Sequence, residues 1–145
     1  MTTNATVPRG IRNNNPGNID RDGTQWEGMA AAQTDPRFVV FVDPQHGIRA
    51  LGRILVNYQV KHHLNTVAGL IGRWAPPSEN PTQSYVDFVA RRLGVGPADP
   101  VDVTNPATLT ALDEAIVAEE NADYAYPAAV VQAGVALALG LPVPA

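Results

Sequence analysis

Glu120 is the residue whose surroundings in the chain best suit proton exchange. Asn105 and Pro106 start a helix expected over residues 106–120, and Leu109, Leu112 and Ile116 fall on one stripe of it. At 3.6 residues per turn, Glu120 lies roughly 40° from Ile116 and continues that stripe. Glu119 lies roughly 60° the other way, and Glu114 points to the far side. An acid at the C-terminal end of an apolar face loses hydration and meets the negative end of the helix dipole, and both effects favour its protonated form. Those are the conditions of a general acid. The plain alternative is a frayed helix end with both glutamates in water. Glu79 comes second, in a loop between Pro76-Pro77 and a helix start at Asn80, where neutralising Arg73 is its plain role. Glu27, beside Trp26, is third, because a strand or loop setting offers it no evident desolvation.

A second concentration of chemistry is Arg9-Gly10-Ile11-Arg12-Asn13-Asn14-Asn15-Pro16-Gly17-Asn18-Ile19. This run suits neither a helix nor a regular strand. Asparagines satisfy backbone groups with their own amides and tolerate left-handed conformations, and Pro16-Gly17 favours a turn. The loop therefore either presents donors and acceptors to a carbohydrate or peptide, or acts as a well-satisfied turn that holds the N-terminal region down. Trp26 and Trp74 suit a buried core as well as a sugar platform.

Other chemistries find little support. His46, His62 and His63 lack a metal-binding spacing, and there are no cysteines, so neither a metal site nor a disulfide framework is expected. No phosphate-binding glycine pattern and no Gly-x-Ser-x-Gly elbow occurs, and no cofactor is expected. A net charge of −4 argues against nucleic acid as a partner. The charge is uneven. Every Lys and Arg lies at or before Arg92, while Asp99, Asp102, Asp113, Glu114, Glu119, Glu120 and Asp123 crowd the last third. Such a division makes either two walls of a cleft or two solvated faces.

The elements that must position these residues are mainly helical. At 145 residues and 45% hydrophobic, the chain has material for one core. We expect a flexible leader over residues 1–8, one domain over 9–140 and a short tail over 141–145. The leader lacks the basic and apolar regions of a secretory signal. Phe38-Val39-Val40-Phe41-Val42 is the one clear strand, and with Gly17-Asn18-Ile19 and the Trp26 region it predicts a small antiparallel ribbon over 17–42. Helices are expected over about 46–60, then from a Thr66 cap through Trp74, then from an Asn80 cap with Pro81 first and Gln83 completing a capping box, ended by Gly94. After the helix over 106–120, an apolar helix over about 127–139 is too short to span a bilayer and is read as buried.

With the elements placed, a resemblance emerges. Arg9 to Ile19, Trp26, residues 38–41, Gly47-Ile48-Arg49-Ala50 and Arg73-Trp74-Ala75-Pro76-Pro77-Ser78-Glu79-Asn80 together resemble a family of small bacteriophage and prophage virion structural proteins. More distantly, Asn15-Pro16-Gly17-Asn18-Ile19 is similar to the Asn-rich region of glucosaminidases. Glu79-Asn80-Pro81-Thr82-Gln83-Ser84-Tyr85-Val86 is similar to the Glu-Thr-x-x-Tyr-Val signature of lytic transglycosylases. Both groups are lysozyme-like. In them the catalytic glutamate ends a helix that precedes the Asn-rich region, and here no helix is expected before residue 17. The resemblance then implies a circularly permuted lysozyme-like helical domain whose acid, Glu120, ends the helix over 106–120. It also implies peptidoglycan as substrate, Tyr85 close to the acid, and Asn15, Asn18, Trp26 and Trp74 as glycan contacts. Delivery by a virion, or release into the host periplasm or cell wall, fits this reading, with other virion proteins as further partners. A non-catalytic virion protein that binds cell wall or neighbouring subunits is the alternative.

Overall fold

The computed structural model describes residues 7–78 and 80–144. Six helices carry the fold among these residues: α1 (Arg9–Arg12), α2 (Pro44–His62), α3 (Val67–Trp74), α4 (Thr82–Leu93), α5 (Pro106–Glu120) and α6 (Ala128–Leu139). The protein is mainly α, in line with the helical periodicities. Local sequence sets most of the ends. The Asp43 carboxylate accepts from the backbone N–H of His46 at 2.9 Å and starts α2, with Pro44 supplying a helical φ and no orphan donor. Thr66 caps α3 through Gly69 N–H, and Asn105 caps α5 through the N–H groups of Ala107 and Thr108. Gly94 ends α4 in the left-handed region, φ 72°.

The start of α4 departs from expectation. Pro81 occupies the capping position with no side-chain cap, and Gln83 donates to Asp87 instead of closing a capping box. Thr82 Oγ1 reaches back to the carbonyl of Ala75, which ties α4 to the end of α3 and leaves Asn80 outside the helix.

α5 is the hub of the bundle. Its expected single apolar stripe is too narrow a description: Leu109, Leu112, Asp113, Ala115, Ile116, Val117 and Ala118 are all buried, because α2, α4 and α6 enclose it. The α2–α6 pair is close-packed for a stated reason. A Cβ built at Gly134 would come within 2.5 Å of Ile48, so only glycine lets the two backbones approach this far.

The region over 9–42 corrects two expectations. Arg9–Arg12 forms one helical turn where the sequence suggests none, ended at Asn13. The ribbon over 17–42 is reduced to isolated antiparallel bridges, Asp20 with Phe38 and Met29 with Phe41. Residues 38–42 are extended, yet their backbone groups go to many partners. Val39 N–H donates to Ile19, Phe41 N–H to Asn13 and Val42 N–H to Gly28. Side-chain amides replace the missing strands: Asn15 Nδ2 donates to the Val39 carbonyl at 2.8 Å, and Gln33 both donates to the Val40 carbonyl and accepts from its N–H. A strand whose neighbours are amide side chains has satisfied backbone groups without a ladder. Ile19, Val39, Phe41 and Ala50 make a small core beside the large helical one, and Trp74 packs against both.

Candidate functional site

A groove of about 470 Å³ runs between the loop over 17–22, the segment at Arg37 and Phe38, and the bundle. Glu120, Asn18, Trp74, Tyr58 and Asn80 line it. Two distant parts of the chain meet on the Glu120 carboxylate, and a third reaches it through one of them. Tyr85 O–H, from α4, donates to Glu120 Oε2 at 2.9 Å. Asn18 Nδ2, from the loop, donates to Oε1 at 3.3 Å. Trp74 Nε1, from the end of α3, donates in turn to the Tyr85 oxygen at 3.1 Å. Glu120 is half-buried, not engulfed, because the helix ends at the groove wall. Tyr85 is buried. Its burial, the charge of Glu120 and the hydrogen bond to that carboxylate hold its phenol well above the usual range, so it stays a neutral donor.

Asn121, one residue beyond α5, locks the loop to the helix that carries the acid. Its Nδ2 donates to the carbonyls of Pro16 at 2.7 Å and Val117 at 3.0 Å. Its Oδ1 lies against Gly10, where a Cβ would sit 2.5 Å away, so α1 approaches the site only because residue 10 is glycine. The plain signals for Asn121 were its position after Glu120 and its residue type, and neither says which carbonyl it will find.

The other expected site residues divide. Asn15 is fully buried, and its amide serves Ile19 and Val39, so it builds the loop and does not reach the groove. Asn13 and Asn14 act likewise, on Asp35 and on the Phe41 carbonyl. Asn14 and Asn18 take the left-handed conformation expected of asparagine. Trp26 packs on the small core outside the groove. Glu27 lies 3.7 Å from both His46 and Arg49, away from the groove. Glu79 lies outside the described residues. Asn80 and Tyr58, which the sequence did not single out as site residues, line the groove.

One half-buried carboxylate with a phenol donor beside it thus faces an open groove lined by aromatic rings, amides and the charged residues Asp20, Asp22 and Arg37. Comparison with known proteins places the chain among bacteriophage proteins. Over 108 residues, 72% of this chain and 68% of the other, it is 46% identical to Protein P5 of Pseudoalteromonas phage PM2, and it belongs to that protein's family. No family model matches the chain.

Proposed function

We propose that this chain is a phage virion component that engages peptidoglycan through the groove, and that Glu120 is the general acid that cleaves the glycan held there. Kinship with a phage protein supports the first part. One observation carries the second: Glu120 is held in the groove by Tyr85 on one oxygen and Asn18 on the other, although these partners lie 35 and 102 positions away in the chain. The aromatic ring of Tyr58, with amides at Asn18 and Asn80, suits a polyhydroxylated chain. On this reading the domain is lysozyme-like in permuted order, since the acid-bearing α5 follows the Asn-rich loop. Glu120 delivers its proton to the glycosidic oxygen as the C1–O bond breaks. Water or the sugar's own hydroxyl then bonds to C1 and returns a proton to the carboxylate.

Among the described residues no helix is long and apolar enough to cross a membrane. The proposed sites of action are the virion, which kinship with a phage protein supports, and, after delivery, the host periplasm and cell wall. A non-catalytic virion protein that binds cell wall or neighbouring subunits is the second reading, and the family relation taken alone supports it more directly than it supports catalysis. The two are separated by incubating purified peptidoglycan with the native protein, Glu120→Gln and Glu79→Gln and measuring released muropeptides. Release by the native protein and by Glu79→Gln, lost by at least about 100-fold in a folded Glu120→Gln, establishes the enzyme. Wall binding without release by the native protein establishes the non-catalytic role.

A further inference from the structure

We infer that Trp74 is a positioning residue for Glu120: acting through Tyr85, it reserves one carboxylate oxygen as a standing acceptor and confines the titrating proton to the other. The inference rests on Glu120 as the acid of the groove and adds which of its oxygens works and what holds it in place.

An indole N–H donates and cannot accept, whereas a phenol has one proton to give and lone pairs to receive. Trp74 Nε1 occupies the Tyr85 oxygen at 3.1 Å, and Tyr85 is only 3% exposed, so its single proton has one destination, Glu120 Oε2 at 2.9 Å. A proton on Oε2 would face that O–H directly or leave it buried without an acceptor. Oε1 is under no such restriction. Its bond from Asn18 is long, 3.3 Å, and is the easier one to give up.

Asn18 itself is built for the exchange. Among the described residues its Oδ1 is buried with no hydrogen-bond partner, and so is Asn121 Oδ1, and both lie against Gly10. Turning the Asn18 amide over presents Oδ1 to a proton on Oε1 and moves Nδ2 away from Glu120 toward the side where Asn121 Oδ1 waits for a donor. The protonated state of Glu120 thus satisfies oxygens that the ionised state leaves bare. Asn18 accepts both states, and Tyr85 accepts one.

The Trp74 ring lines the groove but is firmly seated. It packs against both apolar clusters, and a Cβ at Gly17 would sit 3.0 Å from its Cη2, so the loop seats the indole directly. The chain of contact runs from the Asn-rich loop through Gly17 and Trp74 to Tyr85 and Glu120.

The chain holds two tryptophans, so a nitrogen–proton spectrum of isotope-labelled native protein shows two indole signals, and Trp74→Phe identifies which is which. Between acid and neutral pH the Trp74 signal should move, against a background from Glu119, Asp20 and Asp22, by an amount that disappears in Glu120→Gln and in Tyr85→Phe, both close in size to the native residue. A flat Trp74 signal in native protein, or a movement undiminished in Tyr85→Phe, overturns the inference. In the release assay Trp74→Phe should lower kcat about tenfold at unchanged KM, the loss expected of one hydrogen bond in a relay. A raised KM at unchanged kcat would make Trp74 a sugar platform and also overturn it. Native protein that shows the titration yet releases nothing from peptidoglycan overturns the glycosidase reading alone and leaves the coupling of Trp74 to Glu120 standing.

Discussion

Asp113 sits on α5 with no exposed surface and, among the described residues, no hydrogen-bond partner for either oxygen, across from Gly52. Burial first, then the like charge of Glu114, pushes its pKa well above the ordinary carboxylate range. The folded state keeps a proton that the unfolded chain releases at about pH 3.9. Stability is therefore fullest below that pH and declines as pH rises toward the folded-state value, since the native state binds more protons than the unfolded one. Asp113→Asn removes the titrating group at nearly constant volume. We expect melting curves of this variant to show a higher Tm than native at neutral pH and no decline across the interval where the native protein loses stability. An equal decline in both proteins would assign the pH dependence to another group.

At the scale of elements, one carboxylate joins the amide and backbone bonds that hold residues 9–19 to the segment over 35–42. Asp35 accepts from Arg9 Nε and Nη2 at 2.7 and 2.6 Å, from Asn13 Nδ2 at 2.9 Å, and from the N–H groups of Arg37 and Phe38. Arg9 is the largest cause of a pKa far below the usual range, and Phe38, Asn13 and Arg37 lower it further. The sign is opposite to that of Asp113. The contribution is present above the unfolded-state value of about pH 3.9 and is lost as pH falls below it. Asp35→Asn should loosen this segment already at neutral pH and remove the acid dependence of its opening. Amide exchange over residues 9–42, followed at two pH values in native and variant protein, measures both effects.

At the scale of the molecule, the groove is a seam between the bundle and the amide-built N-terminal region, and Asn121 crosses it. Asn121→Ala leaves the Pro16 carbonyl without its buried donor, at a cost of roughly 1–3 kcal/mol. Hydrogen exchange should rise in residues 9–19 while α2, α5 and α6 keep their protection, because the large core does not depend on that bond. Uniform loss of protection would mean that the two parts unfold as one.

Much of this was legible locally. The caps at Thr66 and Asn105, the stop at Gly94 and the span of α5 follow from signals a few residues long, and the helix that ends in Glu120 is among them. The one-turn α1, the missing ribbon and the displaced start of α4 were not legible. Asparagine, glutamine and threonine side chains bond to any backbone group within reach, and the fold alone decides which one that is. The same reason separates Asn15 from Asn18. Both are amides in one turn, yet packing turns the first inward onto Val39 and the second onto Glu120. Sequence by itself determined the presence of α2 to α6 and the glutamate at the end of α5, because both depend on neighbours along the chain. Only the tertiary structure decided that Asn18 bonds Glu120 and that Trp74 bonds the Tyr85 hydroxyl, because those contacts depend on long-range packing of α3, α4 and α5 against a loop that carries no periodicity to read.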